Sequence, residues 1–146
     1  MKLARYQLLI AAPAAVIREL GSVLRDEADP VGVETFDEAV ARLGERDPDV
    51  LVLCYAFDQV RPFRLLNYLR QEWPHAHVPT ILVRALPVPM GETEEGQIRD
   101  SYKTLGVDVF FNLHDEGQRN GREAALRQFQ DAVLRLLPRK VPAAGA

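Results

Sequence analysis

The chain has 146 residues, 47% hydrophobic and 27% charged, enough for one domain with a buried core. Its 18 Lys and Arg against 21 Asp and Glu leave a formal net charge of −3, without the basic excess of a nucleic-acid binder. The lone cysteine, Cys54, excludes an intramolecular disulfide and a cysteine-built zinc site, and no apolar run approaches the length of a membrane span.

Lys2 and Arg5 precede an apolar stretch, as in a secretory leader, but Arg18 and Glu19 interrupt it in helical period. A first strand feeding a first helix is the expectation, in a cytoplasmic protein. The strand is Tyr6–Ala12, ended by Pro13; the helix is Ala14–Glu27, with Ile17, Leu20 and Leu24 as its stripe. In Val31–Thr35, Val31, Val33 and Thr35 alternate with Gly32 and Glu34, which suits an edge strand. Thr35 and Glu38 form a capping box for the next helix, with Ala39, Val40 and Leu43 inward and Gly44 as the stop.

Asp49–Tyr55 is the most uniformly apolar run and reads as the central strand, covered on both faces. A loop over 56–62 leads to a helix, Phe63–Trp73, with Phe63, Leu66, Leu69 and Trp73 inward and Pro74 after it. Val78–Ala85 is the fourth strand, followed by a proline-rich loop, Leu86–Gly91. A helix over about Thr93–Leu105 carries Ile98, Tyr102 and Leu105 inward and ends at Gly106. Val107–Asn112 is the fifth strand, then a polar loop, then a helix over Glu123–Leu137 with Leu126, Phe129, Val133 and Leu136 as its stripe. Strands alternating with helices imply a parallel sheet with helices on both faces. Five such units favour a flavodoxin-like, three-layer α/β sandwich with strand order 2-1-3-4-5. The domain spans 1–138, and 139–146 form a loose tail.

In such a sheet, chemistry sits beyond the carboxyl ends of the strands. Those ends hold Ala12 and Pro13, Cys54 and Tyr55, Arg84 and Ala85, and Asn112 to His114. Together with the five βα units, three phrases carry a resemblance: Pro48-Asp49-Val50-Leu51-Val52-Leu53, Pro79 entering the fourth strand, and Leu105-Gly106-Val107-Asp108 entering the fifth. Over residues 5–138 the chain resembles a bacterial response-regulator receiver domain. Receivers hold magnesium on an acidic pair after the first strand and phosphorylate an aspartate after the third. They also use a Thr or Ser after the fourth strand and a Lys, usually followed by Pro, after the fifth. The resemblance places the acidic pair on Ala12 and Pro13, the phosphoacceptor on Cys54, the Thr/Ser on Arg84 and the Lys-Pro on Leu113-His114. The aromatic switch falls on Phe110.

Alanine and proline cannot ligate magnesium, and a neutral thiol is a poor ligand for so hard a cation. The expectation is therefore a degenerate pseudo-receiver: a phosphorylation-independent, non-enzymatic signalling module that binds no metal or cofactor. It acts on a protein partner in trans, such as a kinase, a motility component or a transcription component. The resemblance puts the partner or homodimer surface on the fourth helix, fifth strand and fifth helix, with Asp100, Lys103, Asp108, Arg127 and Asp131.

Two alternatives use the same rim. Asp58 serves as a displaced phosphoacceptor, or Cys54 forms a redox or enzymatic site, activated by Arg84 or by His114 as base. Arg84 is also placed to pair with Asp58 or Asp115 and lock one shape. His75 and His77 have the spacing of two metal ligands without a third. A flavin phosphate needs hydroxyls and free N–H groups after the first strand, and Ala11-Ala12-Pro13-Ala14 offers no hydroxyl there. Neither a P-loop nor a dinucleotide glycine fingerprint occurs.

Overall fold

The computed structural model describes residues 6–60, 62–71, 78–85 and 92–138. In chain order the elements are β1 (Tyr6–Ala11), α1 (Ala14–Leu24), β2 (Ala28–Val33), α2 (Phe36–Glu45), β3 (Val50–Cys54) and α3 (Phe57–Val60). They continue with α4 (Pro62–Gln71), β4 (Thr80–Val83), α5 (Glu92–Thr104), β5 (Val109–Phe111), α6 (Leu113–Asn120) and α7 (Arg122–Leu136). The five strands form one sheet in the order β2-β1-β3-β4-β5, parallel at every pairing.

Alternation along the strands divides the core in two. Leu8, Ile10, Val50, Val52, Cys54, Ile81 and Val83 face one side, where Val16, Leu20 and Leu24 of α1 and Ala125, Phe129 and Val133 of α7 cover them. Leu9, Ala11, Leu51, Leu53 and Leu82 face the other, under Ala39 and Leu43 of α2, Leu65, Leu66 and Leu69 of α4, and Tyr102 of α5. All five residues of β3 are buried, as its unbroken apolar run requires of a strand covered on both faces. The edge strand β2 starts at Ala28 rather than Val31 and includes Pro30. A proline fits there because an edge strand leaves one row of backbone groups outside the ladder. Gly32 lets α1 come close: a Cβ built on it would clash with Cγ2 of Ile17.

Several local expectations are corrected. Residues 56–62 are not one loop, since α3 forms a helical turn before α4 begins at Pro62. The buried stripe of α4 is Pro62, Leu65, Leu66 and Leu69, so Phe63 points outward at 48% exposure, with its ring 5.9 Å from that of Tyr102. Gly44 lies inside α2, which ends one residue later with Arg46 extended. The polar loop after β5 is helix α6. Asn112 caps it by accepting from Asp115 N at 3.0 Å, and Asp115 and Glu116 favour its positive end. Of the capping box expected on α2, the N-cap half is formed: Thr35 Oγ1 accepts from Glu38 N at 3.2 Å, while Glu38 Oε1 accepts from the Thr35 hydroxyl at 3.1 Å rather than from the Thr35 backbone N–H. Residues 72–77, with Trp73, Pro74, His75 and His77, and the loop Leu86–Gly91 lie outside the described residues, as do 139–146 and the side chain of Ile98.

Candidate functional site at the carboxyl ends of the strands

The crevice expected between the ends of β1 and β3 is filled. Ala12 and Cys54 are 0% exposed, Ala85 is 2% and Leu113 is 0%. All four belong to the apolar cluster under α1 and α7. Leu113 opens α6, so the helix that follows β5 drops an aliphatic side chain onto the strand ends. Main-chain bonds continue the sheet past its last ladder rungs. Ala12 N donates to Val33 O at 3.1 Å, Tyr55 N to Val83 O at 3.0 Å and Arg84 N to Phe111 O at 2.9 Å. Burial pushes the Cys54 thiol up, and backbone hydrogen bonds at Ala56 and Ala85 oppose this only in part. That direction is opposite to the activation a reactive cysteine needs.

Two polar groups border this plug. The Arg84 side chain is 11% exposed, and its Nη1 lies 3.9 Å from Oδ2 of Asp115. Asp58 is turned elsewhere: its Oδ2 accepts from Phe36 N at 3.0 Å, adding a second cap to α2 beside Thr35. Of the two partners expected for Arg84, the structure therefore brings Asp115 to it and engages Asp58 with α2. Asp58 holds this position at φ +46°, a left-handed conformation that Asp tolerates better than most residues. Among the described residues, no group of three or more His, Cys, Asp or Glu is placed to hold a metal.

The chain is similar in structure to a chemotaxis response regulator of Vibrio cholerae, with 12% identity over 92% of this chain and 100% of that one, at a TM-score of 0.67. It is similar to the phosphorylated cyanobacterial phytochrome response regulator RcpA, at 16% identity, 88% and 91% coverage and TM-score 0.67. A Francisella response-regulator receiver domain aligns at 16% identity, 90% and 96% coverage and TM-score 0.65. The fold is the receiver fold. No family model and no curated protein matches the sequence.

On this fold the expected switch residue, Phe110, packs its ring 5.5 Å from that of Tyr55, with the Arg99 guanidinium 4.7 Å from the ring centre on α5. Tyr55 also meets Tyr102 at 6.1 Å. Burial raises the Tyr102 hydroxyl to about 12, against a hydrogen bond at the Phe63 backbone. Arg99, Tyr102, Lys103, Val107, Asp108 and Phe110 line a cavity of about 200 Å³ between α5 and β5. Lys103 and Asp108 thus come together there, with Asp100 exposed on the same helix as Lys103. Arg127 belongs to another depression, lined also by Val23 of α1, and pairs with Glu123 within α7 at 3.0 Å. Asp131 is exposed one turn further along. The mixed-charge set is therefore divided between two places.

Sequence reasoning missed Arg70. From the last turn of α4, its Nε donates to Leu105 O at 2.7 Å and its Nη1 to Val78 O at 3.0 Å. Its Nη2 donates to Thr80 Oγ1 at 3.0 Å and Gly106 O at 2.9 Å. Asp108 accepts from Thr80 N at 2.8 Å beside it. One guanidinium thus receives the carbonyls that end α5 and secures the start of β4. Gly106, at φ +82°, makes the turn, and a Cβ there would stand 3.0 Å from Arg70 Nε. Next to inward Leu69, an Arg in the last turn of a helix reads in sequence as an ordinary surface cation.

Proposed function

We propose that this chain is a pseudo-receiver: a non-enzymatic signalling module that works without phosphorylation and acts through protein–protein contact. The observation that carries the reading is the dry plug at the strand ends. Ala12, Cys54, Ala85 and Leu113 occupy the crevice with apolar or thiol side chains at no more than 2% exposure. Phosphoryl transfer needs a hard cation bridging carboxylate and phosphate oxygens, and a nucleophile that reaches them. A displaced acceptor at Asp58 fits less well, because its carboxylate is engaged at the start of α2. A cysteine site fits less well, because the thiol is buried and its pKa is raised.

The contact surface that suits this reading is α5 with β5, where the cavity floor of Tyr102, Val107 and Phe110 is rimmed by Arg99, Lys103 and Asp108. An amide NMR titration with magnesium and then beryllofluoride tests the proposal. No shift at millimolar additions is expected. Localised shifts at Cys54, Asp58 and Arg84 would overturn it.

A further inference from the structure

We infer that Arg84 is a positioning residue that clamps the end of β4 to the β5–α6 corner and so sets the shape of the adjoining α5–β5 surface. The inference rests on the reading of a module with a fixed shape and names the residue that fixes it. Arg84 meets the corner through both its main chain and its side chain. Its N donates to Phe111 O at 2.9 Å, and its O accepts from His114 N at 2.9 Å. Its Nη1 stands 3.9 Å from Asp115 Oδ2, a charge contact longer than a hydrogen bond.

Asp115 is itself held in place. Asn112 Nδ2 donates to Asp115 Oδ2 at 2.8 Å, and Asp115 N donates to Asn112 Oδ1 at 3.0 Å. The Asp115 carboxylate therefore lies between a guanidinium and the positive end of α6, and both attract it. Without it, Arg84 would bring a nearly buried cation toward a helix N-terminus, which repels one. The corner follows directly from Phe110 and Phe111, so its position is passed to the ring that floors the α5–β5 cavity.

Amide hydrogen exchange on Arg84→Gln, Asp115→Asn, the double variant and Arg84→Lys tests the clamp. Each of the first two should raise exchange about tenfold at residues 114–117 and leave the amides of Leu20 and Val133 unchanged. The double variant should add little to either single, and Arg84→Lys should restore part of the protection. Unchanged exchange at 114–117 in Asp115→Asn would overturn the inference, as would a uniform rise across the whole chain in either single variant. Asp115→Asn decides the matter should Arg84→Gln fail to fold. A wild-type response to beryllofluoride would count against the plugged rim alone, and silent clamp variants would count against the clamp alone.

Discussion

Replacing Cys54 by Asp supplies the carboxylate that a phosphorylatable receiver would carry, and the surroundings of Cys54 set its cost. The side chain is 0% exposed, in a cluster with Ala12, Ala85 and Leu113. An ionised carboxylate there loses its hydration, and the backbone hydrogen bonds at Ala56 and Ala85 that reach the Cys54 side chain offset that loss only in part. Its cheaper course is to stay protonated. Holding a proton at pH 7 on a group with an unfolded pKa of about 3.9 costs about 1.36 kcal/mol per unit, or about 4 kcal/mol. For a domain of this size that lowers the melting temperature by about 10 °C.

The sign with pH follows. The introduced acid has a folded pKa above its unfolded value, so it is tolerated below pH 4 and destabilises increasingly as pH rises. Thermal melts of wild type, Cys54→Asp and the control Cys54→Ser between pH 4.5 and 7.5 would show the gap to wild type widening with pH for the aspartate only. Incubation with acetyl phosphate and magnesium should leave the mass of Cys54→Asp unchanged. A gap of under about 2 °C at pH 7, or a stable phosphoryl adduct, would refute the reasoning.

Arg70→Ala should destabilise by about 2–4 kcal/mol, because it strips four acceptors of a charged donor, and Arg70→Lys should recover little, since an ammonium cannot reproduce the fork. Urea unfolding monitored by circular dichroism measures both. At Asp58, Asn should be nearly neutral, because it keeps an acceptor and tolerates φ > 0. Ala should cost about 1–2 kcal/mol, and Gly less than Ala, because it relieves the backbone while losing the cap. Equal melting temperatures for Ala and Asn would show that the cap contributes nothing. The raised Tyr102 pKa means that stability is fully present below pH 10 and is lost as pH rises toward about 12. Tyr102→Phe should flatten that alkaline decline in melting temperature, and an unchanged slope would count against the burial of the hydroxyl.

Tyr55 follows the last residue of β3 and meets both Tyr102 and Phe110, on the face of the sheet opposite Ala12, Cys54, Ala85 and Leu113. Aromatic contacts of this kind are stiff and close-packed.

The strand order and the apolar rim were legible in the sequence because both follow from local pattern. A strand that is apolar throughout must be covered on both faces, and one that alternates belongs at an edge, which orders β3 and β2 before any coordinates exist. The residue types Ala12, Cys54 and Leu113 by themselves offer no side-chain oxygen of the kind magnesium prefers. What the pattern hid depends on partners far away in the chain. Phe63 satisfied a helical stripe, yet α4 turned it outward, because Leu65 rather than Phe63 fitted against the sheet. α6 has no apolar stripe, and its cap, Asn112 on Asp115, was the only local sign of it. The engagement of Asp58 with α2, 22 residues away, and of Arg70 with the end of α5, 35 residues away, was decided by tertiary structure alone. A polar side chain's partner is set by whichever donor or acceptor folding leaves within about 3 Å, and sequence spacing carries no record of that distance.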